Sequence, residues 1–244
     1  MTALMGLDAR LRLAKLYLIT DARTEQGDLA EFLKAAFAGG VDIVQIREKD
    51  MAPKAELEVL EVVRTTAMPQ QAIVCVNDSA ALAGQFHADM LHLGQADGPS
   101  APARAKLHKW AILGRSTHSV GEIDAAIADG DVDYLTVGPV HATSLQPAYL
   151  PVGLDPVRHA ARVAPVSTIA SKPWFAIGGI GLDTIDEVVE AGARRVCVVS
   201  AITKAANPQD AAQQLRRRLQ AAWNADPAME RYTMQALAGA GPSR

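Results

Sequence analysis

The chain has 244 residues, 49% hydrophobic and 21% charged, with 18 Gly and 13 Pro. It is too long for a small disulfide-stapled module and too apolar for intrinsic disorder, and it suits one large domain with a full core. A formal net charge of -3 leaves no surplus of Lys and Arg to track a phosphate backbone, so nucleic-acid binding is not expected and any anion site must be local.

Cys75 and Cys197 each sit in an apolar β-type run (IVCV and VCVV) without CxxC or Cys/His spacing, and read as small core residues. No apolar stretch approaches the roughly 20 residues of a spanning helix, and the opening MTALMGLDARLRLAK lacks the apolar core of a secretory signal. A soluble, cytoplasmic protein with no membrane partner is expected.

Short apolar runs alternate with amphipathic segments along the chain. The runs are 16–21 (LYLITD), 43–48 (IVQIRE), 73–77 (IVCVN), 90–94 (MLHLG), 111–116 (AILGRS), 134–140 (YLTVGPV), 175–179 (FAIGG) and 196–201 (VCVVSA). Nearly continuous apolar character marks strands covered on both faces, as parallel strands are. Segments 53–68, 119–129, 182–191 and 208–223 carry apolar residues at helical spacing. Eight such units predict an α/β fold, a single (β/α)8 TIM barrel over 1–222. An open doubly wound sheet gives the same alternation, but no Gly-rich dinucleotide loop follows Asp21. Residues 223–244, ending in Gly, Pro and Ser, read as a peripheral, disordered C-terminal extension.

The second run breaks the apolar rule at alternate positions. Gln45, Arg47 and Lys49 share one face, while Val44, Ile46 and Glu48 take the other. Cations at a barrel mouth call for an anionic ligand or for a structural ion network with Glu48 or Asp50. Asn77 and Asp78 end the third run and Asp97 follows the fourth. Two carboxylates on adjacent strands suit a hard cation such as Mg2+, although either could be a turn residue. His92 reads as a satisfied barrel histidine, Ser116 as a ligand candidate, His118 as either a base or a surface residue, and Ser119 with Glu122 as a capping box. Gly178 and Gly179, with Ser200 after the eighth run, fit the phosphate loops that barrels build after strands seven and eight.

Taken in order, YLITD, QIREKD, the ND pair, HLGQAD, GRSTHS, DYLTVGPVHAT, AIGGI and VVSAI resemble the thiamine phosphate synthase family over residues 16–219. The resemblance implies a barrel that joins 4-amino-5-hydroxymethyl-2-methylpyrimidine diphosphate to a thiazole phosphate, releasing diphosphate, with Mg2+ as cofactor. It implies that Gln45, Ile46, Arg47, Glu48, Lys49 and Asn77 hold the pyrimidine diphosphate, with Ser116 near the pyrimidine and with Arg47, Lys49 and Ser116 as catalytic groups. Asp78 and Asp97 would bind the metal. Thr143, Ser144, Leu145 and Gln146, with Gly178, Gly179, Val199 and Ser200, would face the thiazole phosphate and the departing diphosphate. The partners are then small molecules, and a homo-oligomer is compatible with the reading. A thiazole tautomerase and a non-catalytic precursor-binding paralogue are the alternatives.

Two departures stand out. The family pattern T-P-T-K after the sixth strand is here Thr143-Ser144-Leu145-Gln146, and Ser79 follows the Asn-Asp pair where arginine is common. A cation about 4 Å from a diphosphate oxygen is worth roughly 4 kcal/mol at an effective dielectric near 20, before desolvation and ordering are subtracted. Restoring it with Gln146→Lys should raise the synthase rate about ten- to a hundredfold. Steady-state kinetics of the two proteins check this, and an unchanged rate would mean that another group supplies the charge.

Overall fold

The computed structural model describes residues 5–48, 50–143 and 150–241. Its strands are β1 (Leu16–Thr20), β2 (Ile43–Ile46), β3 (Ile73–Asn77), β4 (Met90–Leu93), β5 (Ile112–Thr117), β6 (Tyr134–Val137), β7 (Trp174–Ile177) and β8 (Val196–Val198). They pair in chain order, and the parallel pairing of β1 with β8 closes the barrel. The helices are α1 (Leu7–Leu13), α2 (Leu29–Ala38), α3 (Pro53–Ala67), α4 (Ala80–Phe86), α5 (Ser100–Arg104), α6 (Val120–Ala128), α7 (Asp155–Val163), α8 (Ile185–Glu190), α9 (Ser200–Thr203), α10 (Pro208–Ala225) and α11 (Ala228–Leu237). The expected TIM barrel is therefore the observed one, and the open sheet is excluded. Among the described residues no helix is long and apolar enough to cross a membrane.

Successive side chains on a strand point to opposite faces, so each strand feeds two cores. Leu16, Leu18, Val44, Ile46, Val74, Val76, Leu91, Leu135, Val196 and Val198 pack outward with the helices. Tyr17, Ile43, Ile73, Cys75, Met90, Ile112, Tyr134, Phe175 and Cys197 pack inward, joined by Leu11 from α1. Burial pushes the Cys75 thiol up to about 12 and raises Cys197 as well, so both behave as the core residues that were expected. Gly114 makes room inside: a Cβ there would meet the Tyr134 ring at 2.0 Å, across the β5–β6 register.

Local signals set the helix starts. Pro53 and Pro208 stand in the first turn of α3 and α10, where a missing N–H costs nothing. Ser119 Oγ accepts from the Glu122 amide at 3.3 Å, and the Glu122 carboxylate accepts from the His118 amide at 2.6 Å. The cap is thus present, with its return arm one residue beyond the usual box. Ser79, at the position where the resemblance expects arginine, caps α4 by accepting from Leu82 N at 3.2 Å.

The C-terminal segment corrects an expectation. Within the described residues 223–241 the segment is helical and packed: α10 runs through Trp223 to Ala225, and α11 follows with Met229, Tyr232 and Ala236 buried. A buried cation explains the docking. Arg195, 1% exposed just before β8, donates through Nη2 to the Arg12 carbonyl and to the Tyr232 hydroxyl, each at 2.9 Å. Its guanidinium stacks 5.3 Å from Trp223 and 5.5 Å from Tyr232, and Lys15 Nζ lies 3.9 Å from the Trp223 ring. Aromatic faces desolvate these cations while offering them a negative quadrupole. Met229→Ala empties a fully buried position and should lower the unfolding free energy by about 2–4 kcal/mol in urea titration. No change would mean that α11 does not dock.

Candidate active site

The carboxyl ends of the strands surround a cavity of about 220 Å3. Its wall is two-sided. Gln45, Asn77, His92, Ser116 and Thr136, from β2 to β6, form a polar side, and Ile19, Ile177 and Cys197, from β1, β7 and β8, form an apolar one.

On the polar side Gln45, 2% exposed, accepts from the Tyr17 hydroxyl and donates to Asn77 Oδ1. Arg47, half-buried just past β2, lines the cavity and is anchored by its amide, which donates to the Thr20 carbonyl at 2.9 Å. Strand parity turns the side chains of Ile46 and Glu48 away from the cavity. Ile46 is fully buried in the outer core against the helices, and Glu48 turns aside to accept from the Ala22 amide at 3.0 Å. Neither side chain lines the cavity. Lys49, Ser144, Leu145 and Gln146 lie outside the described residues.

Asp78 and Asp97 line the mouth together. Asp78 adopts a left-handed φ of +58°, which its short polar side chain tolerates, and its amide donates to the His92 carbonyl at 2.9 Å. Asp97 accepts from the Gly94 amide at 2.6 Å. Loss of water, then the neighbouring Asp97, pushes the Asp78 carboxyl up to about 6, while Asn77 and Arg47 act in the opposite sense. Among the described residues no cluster of three or more His, Cys, Asp or Glu is placed to share an ion. Two neighbouring carboxylates are oxygen donors of the kind that suits a hard cation which keeps several waters and takes its other oxygens from a phosphate, so their chemistry is compatible with Mg2+.

Ser116 lies between two anchors. Its Oγ is 2.9 Å from His92 Nε2, and its carbonyl accepts from Gln95 Nε2 at 2.5 Å. His92 Nδ1 is 2.7 Å from the Tyr134 hydroxyl, and burial, with Arg115 and His118 nearby, pushes its pKa down to about 3, so the ring is neutral. It is the satisfied barrel histidine expected. His118 proves to line the cavity, its Nδ1 donating to the Gly138 carbonyl at 2.6 Å.

Thr143, Gly178, Gly179, Val199 and Ser200 close the opposite rim. Gly178 and Gly179 have φ of +102° and +61°, and a Cβ on either would meet Pro139 at 2.4 Å or His141 at 2.6 Å. Only glycine lets this backbone turn against the sixth loop and still face the cavity. Tyr17 and Tyr134 are the supporting residues that the sequence reading missed. Each alternates with an inward polar or apolar neighbour on its strand, and that parity was the available signal.

A family model described as thiamine monophosphate synthase matches residues 16–202. The chain belongs to the thiamine monophosphate synthase family. It is similar to the thiamine-phosphate synthase of Thermobifida fusca (strain YX), at 50% identity over 213 residues, covering 87% of this chain and 95% of that protein. Similarity to the thiamine-phosphate synthase of Mycolicibacterium smegmatis (strain ATCC 700084 / mc(2)155) is 46% over 222 residues, covering 87% and 95%. Among solved structures, the thiamine phosphate pyrophosphorylase from Pyrococcus furiosus superposes with a TM-score of 0.74 at 29% identity, covering 87% of this chain and 98% of that one.

The raised Asp78 carboxyl has a consequence for stability. Its folded pKa of about 6 exceeds the reference 3.8, so the protonated form contributes stability below about pH 4 that is lost as pH rises through about 6. In excess chelator, Asp78→Asn should stabilise the fold by about 1 kcal/mol above pH 6, a figure discounted for the exposed edge of the carboxylate, and by almost nothing below pH 4. Urea midpoints at the two pH values check this. An equal shift at both would mean that neither burial nor Asp97 raises the Asp78 carboxyl.

Proposed function

We propose that the protein joins 4-amino-5-hydroxymethyl-2-methylpyrimidine diphosphate to a thiazole phosphate, giving thiamine phosphate and diphosphate in the cytoplasm, with Mg2+ held by Asp78 and Asp97. The observation that carries the reading is the meeting of two kinds of anion-binding group across one cavity. Arg47 with two carboxylates stands on one rim, and the Gly178 and Gly179 backbone with Ser200 stands on the other. The family match supports a synthase over a tautomerase, which has no use for a diphosphate site, and over a non-catalytic paralogue.

In this reading the bond between the pyrimidine methylene carbon and the diphosphate oxygen breaks, and the electron pair leaves with diphosphate. The thiazole ring nitrogen then gives its lone pair to the electron-poor methylene, forming the carbon–nitrogen bond. No covalent enzyme intermediate is needed. Arg47, lining the cavity just past β2, offers positive charge to the oxygens on which negative charge gathers, and Lys49 is proposed to do the same. Mg2+, when bound, would neutralise diphosphate charge as a Lewis acid. Asn77, held by Gln45, and Ser116, held by His92, orient the pyrimidine. The apolar Ile19 and Ile177 exclude water from the methylene, which would otherwise react with it.

Incubation of the purified protein with both substrates and Mg2+ should yield thiamine phosphate, and its absence would overturn the reading. Arg47→Ala should lower kcat/KM for the pyrimidine diphosphate by about 100-fold. The KM for the thiazole phosphate should move much less. Equal losses for both substrates in steady-state kinetics would mean one shared phosphate site.

A further inference from the structure

We propose that Tyr134 is a positioning residue that fixes His92 as its Nε2–H tautomer, so that Ser116 faces the cavity as a hydrogen-bond donor and selects a substrate ring with an acceptor atom there. The buried network beneath the cavity has few protons to share, and their placement decides the tautomer. Tyr17 and Tyr134 are both fully buried, and each hydroxyl has one proton to give. The Tyr17 proton goes to Gln45 Oε1, and the Gln45 amide passes the same sense outward to Asn77.

For Tyr134 there are three candidate acceptors, His92 Nδ1 at 2.7 Å, the Tyr17 oxygen at 3.4 Å and the Cys75 sulfur at 4.0 Å, the last only a weak acceptor. Hydroxyl hydrogen bonds run about 2.5–3.0 Å, so the tyrosine pair is too far apart to take the proton well. Tyr134 therefore donates to Nδ1. A neutral imidazole that accepts at Nδ1 must carry its hydrogen on Nε2, and that hydrogen meets Ser116 Oγ at 2.9 Å, with Thr136 Oγ1 more distant at 3.4 Å. The reverse arrangement would leave the Tyr134 proton only the 3.4 Å contact with Tyr17 or the weak sulfur acceptor of Cys75. Ser116 Oγ, accepting from His92, keeps its own proton for the cavity that it lines. A ring carrying only a donor at that position would meet a second donor and bind poorly.

The identity of the ring rests on the function proposed above, whereas the tautomer does not, so the two can fail separately. Nitrogen-15 NMR of histidine-labelled protein, with the His92 signals assigned through His92→Gln, reports which ring nitrogen carries hydrogen. The wild type should show Nε2–H alone, and Tyr134→Phe, which removes the donor to Nδ1, should show a mixture of the two tautomers. An Nδ1–H ring in the wild type, or an unaltered ring in Tyr134→Phe, would overturn the proposal. In kinetics, Tyr134→Phe should lower kcat about tenfold while the KM for the thiazole phosphate stays within twofold. His92→Gln, whose amide can still donate at the Nε2 position, should keep more activity than His92→Asn. Adding Tyr134→Phe to His92→Gln should cost nothing further. A full additional tenfold loss in the double variant would show that the Tyr134 hydroxyl acts by a route other than His92 and would overturn the relay. If the wild type makes no thiamine phosphate, the functional reading fails while the NMR result still judges the tautomer.

Discussion

A closed barrel has no water on its axis, so any polar group placed there must find its partner inside. A buried hydroxyl or amide left without one costs on the order of 1–3 kcal/mol. Tyr17, Gln45, His92 and Tyr134 answer that demand with one another, in a network that also reaches Asn77 and Ser116. Phe175 seals it from the side, edge-on to both tyrosines with centroids 5.5 and 6.0 Å away. The polar wall of the cavity is the upper surface of this network. Its groups are held before any ligand arrives, which is the condition under which electrostatic stabilisation costs no reorganisation.

The two ends of the barrel solve opposite problems. At the carboxyl ends, charged groups are left facing a cavity, and partial loss of water, then the neighbouring Asp97, raises the Asp78 carboxyl. At the amino ends, charge is sealed away. Burial, with Arg216 nearby, lowers Lys15 to about 8, and Arg195 loses water altogether under Trp223 and Tyr232. The C-terminal helices thus stabilise the end of the barrel that does no chemistry, the division common to barrel enzymes.

How much of this was legible in the sequence depended on whether a signal was periodic or pairwise. Strand number and order were legible, because eight apolar runs separated by amphipathic segments leave few ways to bury both faces. Alternation also placed Gln45 and Arg47 inward. It should have excluded Ile46 and Glu48, which the family resemblance had carried in as neighbours in one motif. Tyr17 and Tyr134 passed unnoticed because tyrosine suits an apolar strand, and their value lies in a contact between β1 and β6 that no local pattern displays. The tail was misread for a related reason. Its composition suggests disorder, but Tyr232 docks on Arg195, which is remote in sequence, and Met229 packs in the same small core with Trp223.

The account turns on the division of the cavity rim between two anions. A crystal structure of the protein with an unreactive analogue of the pyrimidine diphosphate, grown with Mg2+, tests it most directly. The account predicts diphosphate oxygens beside Arg47 and a metal shared by Asp78 and Asp97, with the pyrimidine ring against Ser116 and Asn77. A diphosphate seated on Gly178, Gly179 and Ser200, with the two carboxylates left aside, would contradict it.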